Sequence, residues 1–515
     1  SVPPANLGFR LVVEPSQPIV TSAVRRVATL LRRTWRSSDL RWIEPAQSSS
    51  ATSPVSDREA KGEQQMRSDL AKSYGQDRLP RYTSYPTAPH FSPAVGEQNY
   101  RNWLKSVPLR QPASIYLHVP FCRSMCWYCG CHTSVTKRDD PIATYAAGLR
   151  NEARLVAETI GQRLPVSHVH FGGGTPTIMS PETFVDLVGA LRYSFFVLPD
   201  AEIAVEIDPR TLTEEMTEAL GYCGVNRASL GVQSFDPAVQ QAINRLQSFE
   251  QTALSVERLR RVGVNRINFD LLYGLPLQTV DSCLDTVAKC VELRPDRFSV
   301  FGYAHIPSFK KHQRKIDEAS LPDSIERHLQ SETIAKALVD AGYVRIGLDH
   351  FALPGDSLAI ARQDGRLKRN FQGYTDDSAD TLIGLGASAI GRMPQGFVQN
   401  VVPTRDYLAR ITEDRLAIAK GYVFTKEDRF RADIIERIMC DLAVDLPLVS
   451  GLHGRDIRSA IVDRPRIESL IADGAVTMID DRLSISDGAE FLVRSVASAF
   501  DAHLANSAAT HSRAV

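Results

Sequence analysis

Short apolar segments rich in β-branched residues alternate with longer helical patterns between about residues 114 and 305. Six of these segments read as strands: SIYLHV, VSHVHF, AEIAVEI, RASLGV, RINFDLLYG and RFSVFGY. Strands separated by helices at this spacing form right-handed βαβ units, and therefore a parallel sheet. Polar residues follow nearly every strand, where a barrel builds its site. We therefore predict an α/β fold: a partial or full parallel (β/α) barrel with a smaller, mostly helical C-terminal domain.

The remaining segments complete a predicted domain map. Residues 1–65 are rich in Arg and Ser and poor in acids, which is typical of a leader, such as a transit peptide, or a disordered extension. After Val401, helical patterns over 426–446 and 456–473 are followed by a predicted hairpin around Asp480-Asp481. This order predicts a winged-helix-like module, interpreted as a lid or packing domain because no basic recognition face is evident. The predicted boundaries are 1–65 (leader), 66–110 (N-terminal segment), 111–400 (barrel), 401–500 (C-terminal domain) and 501–515 (flexible tail).

Charge and hydropathy exclude several classes of function. The chain has 515 residues, with 60 Lys and Arg against 60 Asp and Glu, so no net field favours nucleic acid or an anionic membrane. No segment approaches the ~18 apolar residues of a membrane span. We predict a cytoplasmic protein that binds neither nucleic acid nor membrane. A monomer is expected, although neutral charge leaves the oligomeric state open.

Four of the eight cysteines fall within ten residues, directly after the first predicted strand. They form the pattern Cys122-x3-Cys126-x2-Cys129, followed by Gly130 and Cys131. Three thiolates on one short loop suit a [4Fe–4S] cubane, in which each binds one iron and the fourth iron stays open. The alternatives are a structural zinc site that uses Cys131 or His132 as its fourth ligand, or a redox disulfide. The other four cysteines, at 223, 283, 290 and 440, read as small buried thiols.

These motifs carry a family resemblance. The C-x3-C-x2-C spacing after a first barrel strand resembles the radical S-adenosylmethionine (SAM) enzymes. The extended form C-x3-C-x2-C-G-C resembles the oxygen-independent coproporphyrinogen III oxidases, also called coproporphyrinogen dehydrogenases. The resemblance covers about residues 66–500 and includes PRYTSYPTA (80–88), HFGGGTPT (170–177), VEIDPR (205–210), SLGVQSFD (229–236), NFDLLYGLPLQT (268–279), YAHIP (303–307), RNFQGYT (369–375) and GASAI (386–390).

The resemblance implies a reaction and its cofactors. The expected activity is oxidative decarboxylation of two propionate side chains of coproporphyrinogen III to vinyl groups, which gives protoporphyrinogen IX in anaerobic haem biosynthesis. The expected cofactors are a [4Fe–4S] cluster with one open iron and two SAM molecules, one of which yields a 5′-deoxyadenosyl radical. A flavodoxin- or ferredoxin-like protein would supply single electrons. The sequence does not identify the final electron acceptor or the residues that bind the substrate carboxylates.

The resemblance also assigns residues to roles. Cluster ligands would be Cys122, Cys126 and Cys129, and Tyr116, His118 and Cys131 would be catalytic. Contacts to the first SAM would come from Tyr116, Tyr128, Gly173, Gly174, Thr175 and Glu206, with Ile390 beside it. Contacts to a second SAM would come from Gln233, Arg245 and Asp270, with Ala304 beside it. The glycine loop would receive the methionine ammonium of SAM, and Glu206 offers acceptor oxygens to a ribose diol or ammonium.

Simpler interpretations stay open for several of these residues. Read alone, His118 is equally well a satisfied core histidine, and Arg245 would be a solvated helix residue. Asp208 either shares the role of Glu206 or caps the next helix. Tyr128 either contacts SAM or shields the cluster. The segment Pro80–Ala88 is predicted to lie across the barrel mouth and cover the substrate, and its alternative is simple packing on the barrel wall.

Two other functions compete with the enzyme. A sister radical SAM family acts as haem-binding chaperones and shares the cluster loop and barrel, but it lacks the cysteine that corresponds to Cys131 and the PRYTSYPTA segment. This chain has both. A zinc-stabilised binding module would be colourless and would not respond to reductant. The sequence therefore favours the enzyme over both alternatives.

Overall fold

Six strands form the centre of the sheet, and they are the six that the sequence predicts. The structure is a computed structural model that describes residues 69–75 and 77–504, so the predicted leader and positions 505–515 of the predicted tail lie outside the described residues. Each strand pairs parallel with the next along the chain. The strands are β1 (Ala113–Val119), β2 (Pro165–Gly173), β3 (Phe196–Ile207), β4 (Arg227–Gln233), β5 (Arg266–Tyr273) and β6 (Arg297–Gly302).

Helices connect these strands and begin at capping residues. Ser180, Thr213 and Ser248 each accept a hydrogen bond from a backbone N–H in the first turn of the helix that follows, as N-caps do. The helices are α1 (Glu97–Lys105) before the sheet, then α2 (Asp140–Ile160), α3 (Pro181–Ser194), α4 (Glu214–Tyr222), α5 (Pro237–Ala242), α6 (Phe249–Arg261), α7 (Val280–Glu292) and α8 (Ser324–Asp340). The loops between strand ends and helix starts gather at one edge of the sheet, where a barrel site forms.

Further strands extend the sheet on both sides. They are β7 (Val344–Ile346), β8 (His350–Ala352), β11 (Leu382–Leu385), β12 (Ile390–Met393), β13 (Gly396–Asn400) and β14 (Ile418–Val423), and β9 (Lys368–Asn370) and β10 (Gly373–Thr375) form a separate hairpin. The order is β14-β13-β12-β11-β1-β2-β3-β4-β5-β6-β8-β7. Among the described residues no pairing joins β14 to β7, so the barrel is partial. The sheet also runs past the predicted boundary at residue 400, because β14 pairs with β13.

The C-terminal region has its own core. Its elements are α11 (Lys426–Asp441), β15 (Ala443–Asp445), α12 (Leu446–His453), α13 (Arg464–Ala472), β16 (Val476–Ile479), β17 (Arg482–Ile485) and α14 (Val493–Ser498), after α9 (Ser357–Gln363) and α10 (Thr404–Thr412). The hairpin predicted around Asp480-Asp481 forms, and both residues have positive φ, as a two-residue hairpin turn requires. The helix predicted over 456–473 is shorter, because α13 begins only at Arg464 with a proline in its first turn.

Two clusters of buried side chains organise these elements. The larger fills the barrel between sheet and helices, and the smaller joins α11–α14 and β15–β17 to Leu70, Tyr82 and Tyr85 from the N-terminal segment. The four cysteines outside the loop are buried. Short 3-10 turns lie at Ala88–His90, Pro176–Ile178, Lys311–Lys315, Glu318–Ser320, Ile457–Ser459 and Glu490–Leu492. None of the helices described is both long enough and apolar enough to cross a membrane.

Candidate active site

The cysteine loop leaves the end of β1 and is anchored at several points. Phe121–Cys122 pairs with Ser134–Val135, which closes the base of the loop. The backbone N–H of Trp127 donates to the carbonyl of Ile243 at 2.9 Å, and the side chain of Asn244 donates to the carbonyl of Met125 at 2.8 Å. These contacts hold the loop against the residues that follow α5.

Hydrogen-bond donors surround the sulfurs of Cys122 and Cys126. The Cys122 sulfur lies 3.2 Å from the hydroxyl of Thr133 and 3.5 Å from that of Thr175. The Cys126 sulfur accepts from Arg210 and Arg245, each at 3.5 Å. Donors of this kind stabilise thiolates, the form of cysteine that binds iron. The residues therefore fit an iron–sulfur cluster.

Cys129 and Cys131 form a hydrogen-bonded pair on the same loop. The side-chain hydrogen bond from Cys131 outweighs the effect of burial and lowers the pKa of Cys129 to about 6, while the pKa of Cys131 rises well above its usual value. By contrast, burial raises the pKa of Cys122 despite its two hydroxyl neighbours. Cys131 is exposed. These two pKa shifts favour a thiolate at Cys129, the form that can bind iron, and a protonated thiol at Cys131.

Across residues 69–75 and 77–504, no group of three His, Cys, Asp or Glu side chains is arranged to hold a single metal ion. A cubane does not require such convergence, because each thiolate binds a different iron.

The triple glycine at the end of β2 packs against neighbouring side chains. A Cβ at Gly172 would lie 2.7 Å from the Glu206 carboxylate, and one at Gly173 would lie 2.7 Å from the His118 ring. At Gly174 it would lie 2.5 Å from the Phe121 carbonyl. Gly173 also has a φ of +111°. The absent Cβ atoms therefore let Glu206, His118 and the Phe121 backbone approach the loop closely.

Glu206 lies at the end of β3 beside this glycine loop. Its Oε2 accepts from the Gly173 N–H at 3.0 Å, and its Oε1 lies 3.3 Å from His170 Nε2. Burial opposes ionisation, yet the contacts to His170 and Gly173 and the nearby ring of His118 lower the pKa of Glu206 overall. An ionised carboxylate held at a strand end is suited to bind an ammonium or a diol.

Tyr116 and His118 share one face of β1, as the alternation of a strand requires. Tyr116 Oη lies 3.0 Å from His118 Nδ1, and His118 Nε2 lies 2.9 Å from the carbonyl of His132. Burial lowers the pKa of His118. The Tyr116 ring stacks on His170 with centroids 5.8 Å apart. His118 thus has partners at both nitrogens, as its structural interpretation expects, and it also borders the glycine loop, as the functional one expects.

A network of charges lies under Cys126. Asp208 accepts from Arg210 at 2.6 Å, and Arg245 Nη2 lies 3.5 Å from Asp208 and 2.7 Å from the carbonyl of Gly231. Burial opposes ionisation of Asp208, but the two arginines lower its pKa overall. Asp208 does not cap the next helix, because Thr213 is the N-cap of α4. Arg245 is buried rather than solvated, and its guanidinium contacts Cys126, which the sequence predicts as a cluster ligand.

Gln233 and Asp270 complete this side of the site. Gln233 ends β4 with a φ of +70°, and its amide lies near Gly231, next to Arg245. Asp270 accepts from Ser229 at 2.8 Å and from Asn268 at 2.9 Å. Burial raises the pKa of Asp270 to about 6, with Glu206 nearby contributing in the same direction. The pKa of Glu206 is thus lowered and the pKa of Asp270 is raised, although the two carboxylates lie near each other.

The segment after β6 covers the cysteine loop from outside. Gln313 donates to the carbonyls of Tyr128 at 3.0 Å and Ala304 at 3.2 Å. His312 Nε2 lies 2.8 Å from the carbonyl of Cys129, and Lys310 Nζ donates to the carbonyl of Cys131 at 2.9 Å. The sequence does not predict the contacts of Lys310, His312 and Gln313 with the cysteine loop, because the loop carbonyls lie about 180 residues away in sequence.

Ile390 begins β12, on the other side of β1. A Cβ at Gly384 would lie 2.7 Å from the Ile390 backbone, and Gly384 is the residue of β11 that pairs with Tyr116 of β1. His170 has no role among the residues assigned from the sequence. The sequence does carry a signal for it, because His170 opens the HFGGGTPT motif and lies two residues before Gly172 on the same strand.

A cavity of about 720 Å³ opens at the ends of β5 and β6, next to Ala304. Its wall contains two acidic residues, Glu318 and Asp349, and six arginines. The arginines are Arg78, Arg81, Arg327, Arg345, Arg369 and Arg494. They come from the N-terminal segment, α8, β7, β9 and α14. A cavity of this size is typical of a small-molecule site, and its charge favours an anionic molecule.

A partial parallel barrel with three cysteines on the loop after its first strand defines a radical SAM enzyme. The Radical SAM superfamily model matches residues 116–290. A relative from Bradyrhizobium diazoefficiens, an oxygen-independent coproporphyrinogen III oxidase, is 61% identical over 450 residues, which cover 87% of this chain and 100% of that protein. A protein of the same name from Paracoccus denitrificans is 43% identical over 429 residues, which cover 83% of this chain and 94% of that protein.

A solved structure agrees with these relatives. Coproporphyrinogen III oxidase from Escherichia coli, a radical SAM enzyme, matches with a TM-score of 0.79 at 34% identity, over 83% of this chain and 100% of that one. This chain belongs to the family of oxygen-independent coproporphyrinogen III oxidases. The resemblance found in the sequence is thereby confirmed, together with the α/β fold.

Proposed function

We propose that this protein oxidatively decarboxylates two propionate side chains of coproporphyrinogen III to vinyl groups, giving protoporphyrinogen IX in anaerobic haem biosynthesis. The observation that carries the proposal is the three-cysteine loop beside Glu206, in a chain 61% identical to a curated oxidase over that oxidase's whole length. Each propionate R–CH2–CH2–COO⁻ becomes R–CH=CH2 and releases CO2, one proton and two electrons. Radical chemistry is required because the C–H bond is unactivated, and the protein supplies placement and water exclusion.

Radical SAM enzymes use a [4Fe–4S] cluster and SAM, and the loop cysteines are suited to hold that cluster. Cys122, Cys126 and Cys129 would each bind one iron and leave the fourth iron open. When bound, cluster and SAM together supply the one-electron chemistry that removes a hydrogen atom from the substrate. Cys131 would stay protonated beside Cys129 and act in catalysis without binding iron.

Other residues would bind SAM. Glu206 and the backbone of Gly173, Gly174 and Thr175 would hold the amino acid or ribose part of the first SAM, between Tyr116 and Ile390. Tyr128 would contact the same molecule from the cysteine loop. A second SAM would lie beside Ala304, with contacts from Gln233, Arg245 and Asp270, whose charged groups can pair with an amino acid zwitterion.

The test is an anaerobic assay that compares the wild-type protein with Glu206→Gln. Wild-type protein incubated with SAM, dithionite and coproporphyrinogen III should release CO2 and form vinyl product. Glu206→Gln removes the negative charge that we assign to SAM binding, so methionine formation should fall by at least about tenfold, equivalent to a lost charge-assisted hydrogen bond. Glu257→Gln changes an exposed carboxylate on α6 and serves as the control.

Two outcomes would contradict the assignment. If wild-type protein with a full cluster binds haem but yields no vinyl product, the chain is a haem-binding chaperone of the sister family. If Glu206→Gln cleaves SAM as fast as Glu257→Gln, Glu206 does not bind the first SAM.

A protein electron donor would dock on the segment that covers the cysteine loop. Lys311, Arg314 and Lys315 are exposed there, and the Lys315 ammonium lies 5.5 Å from the centre of the Trp127 ring inside the loop. The Phe309 side chain is 66% exposed beside them. Basic residues around an exposed aromatic group suit a one-electron donor with an acidic surface, such as a flavodoxin- or ferredoxin-like protein.

Charge reversal tests this docking surface. The double variant Lys311→Glu/Lys315→Glu should accept electrons from reduced flavodoxin roughly tenfold more slowly at low ionic strength, because steering by opposite charge is lost. The defect should shrink at high salt and disappear when dithionite replaces the protein donor. Lys105→Glu reverses an exposed charge on α1 and is the control. Equal rates for the double variant and the control would place the docking site elsewhere.

A further inference from the structure

Two of the family motifs carry residues for which the reaction scheme has no role. PRYTSYPTA contains Arg81 and RNFQGYT contains Arg369, nearly 300 residues apart in the sequence. Both arginines line the cavity beside Ala304. Motifs from distant parts of the chain that deliver the same kind of side chain to one cavity point to a shared ligand.

Arg369 is buried and its hydrogen-bonding capacity is not used up. Its residue exposure is 9%, and its Nε and Nη1 find no hydrogen-bond partner among the described residues. Nη1 lies 3.6 Å from Asp349, beyond hydrogen-bond distance, and the guanidinium lies 4.3 Å from the centre of the Tyr374 ring. Buried donors without acceptors are costly, so a ligand that supplies acceptor oxygens would be stabilised here.

The charges around Arg369 add to this preference. Arg81 and Arg494 line the same cavity, and burial together with the charges of Arg81 and Arg369 lowers the pKa of Arg494 to about 10. Arg494 donates to the carbonyls of Leu79 and Pro80, which positions the segment that carries Arg81. Asp349 is the acidic residue that faces this group, and its pKa lies well below the usual range because Arg369 offsets its burial. The Asp349 carboxylate is thus shared between Arg369 and Arg81.

We propose that Arg81, Arg369 and Arg494 form a receptor for carboxylates of the substrate, and that they bind propionates other than the one undergoing decarboxylation. The inference rests on the proposed function and adds the residues that orient the macrocycle. Guanidinium groups suit this task, because their planar donors match carboxylates in pairs. With its other propionates held at the far side of the cavity, the macrocycle would present one propionate to the side near Ala304.

The test measures binding and turnover in Arg81→Ala, Arg81→Lys and Arg369→Gln. Coproporphyrin III, the stable oxidised form of the substrate, serves as the binding probe through quenching of protein fluorescence in reconstituted holoenzyme. Arg81→Ala should raise its Kd about tenfold, the loss of one charge-assisted contact, and Arg81→Lys should recover part of the affinity. The KM for coproporphyrinogen III should rise with the Kd, since these contacts are the same before and during reaction.

Two controls separate carboxylate binding from a structural effect. Coproporphyrin III tetramethyl ester has no carboxylates, so its Kd should be the same for the wild-type protein and Arg81→Ala. Arg458→Ala removes an exposed arginine outside the cavity and should leave both Kd values unchanged. Iron content and thermal unfolding confirm that each variant is folded. Arg81 is exposed, so its variants stay informative even if Arg369→Gln is unstable.

The outcomes distinguish this inference from the proposed function. If the wild-type protein forms vinyl product, and neither Arg81→Ala nor a folded Arg369→Gln changes the Kd or the KM, the carboxylate receptor is refuted. The proposed decarboxylation would be unaffected by that result. An Arg81→Ala defect that is equally large for the tetramethyl ester would also overturn it, because the contact would not be to carboxylates. Absence of vinyl product in the wild-type assay would instead overturn the proposed function.

Discussion

Alanine at Cys122, Cys126 or Cys129 should abolish both the brown iron–sulfur absorbance and reductive cleavage of SAM. Each sulfur would bind a separate iron, and no other Cys on the loop can replace it while Cys131 is paired with Cys129. The loss should be complete rather than partial. Iron and sulfide content, the visible spectrum and methionine formation measure it.

Two other cysteines provide the comparison. Cys290→Ala removes a fully buried thiol on α7 and should retain the cluster. Cys131→Ala should also retain a four-iron complement but lose substrate turnover, because we assign Cys131 a catalytic role without iron. A Cys122→Ala protein with four irons and activity would refute the ligand assignment. Bound zinc in the wild-type protein, with no colour and no response to reductant, would favour the zinc module instead.

The sequence predicts the parallel strands well because each is a short segment rich in apolar and β-branched residues with a helical pattern after it. All six appear, and so does the hairpin at Asp480-Asp481, since both are encoded by local patterns. Strands β11 to β14, between residues 382 and 423, were not predicted. They are short, of four to six residues, and they add to the sheet next to β1, more than 260 residues away in sequence. Local periodicity holds no information about such a pairing.

The candidate site likewise has residues that the sequence predicts and residues that only the fold brings together. Cys122, Cys126 and Cys129 are recognisable from their spacing alone, whereas Arg245 reads as a surface residue until the fold places it against Cys126 and Asp208. The glycine motif follows a predicted strand and lies at the end of β2, but only the structure shows that Glu206 and His118 pack against it. The arginine-lined cavity depends on residues from five separate elements, so only the structure could rank these arginines.

The second large predicted effect is the loss of decarboxylation when the N-terminal segment is deleted. Tyr82 and Tyr85 are buried in the C-terminal core, where Tyr82 donates to Asp501 at 3.0 Å and Tyr85 accepts from the Ala502 N–H at 3.1 Å. Arg81, directly before Tyr82, and Thr83, between the two tyrosines, line the cavity. The segment thus combines the two alternatives. It packs through its tyrosines onto the C-terminal region rather than the barrel wall, and it borders the predicted substrate site through Arg81 and Thr83.

We therefore expect two deletions to differ sharply. A chain that starts at Met66 lacks only residues outside the family resemblance, and it should keep its cluster and activity. A chain that starts near Pro89 loses Arg81 from the cavity and two buried tyrosines, each of which stabilises the fold by about 3–5 kcal/mol. This chain should assemble its cluster on the barrel but lose decarboxylation, and the C-terminal region should unfold at a lower temperature.

The double variant Tyr82→Phe/Tyr85→Phe separates the two contributions. It removes the two hydroxyl contacts to residues 501 and 502 but keeps the aromatic packing and Arg81, so it should lose only about 1–3 kcal/mol of unfolding free energy and retain turnover. Product formation, iron content and the unfolding temperature are compared for all three proteins. Full activity in the chain that starts near Pro89 would refute a role of this segment at the substrate site. An inactive chain starting at Met66 would show that the first 65 residues are required.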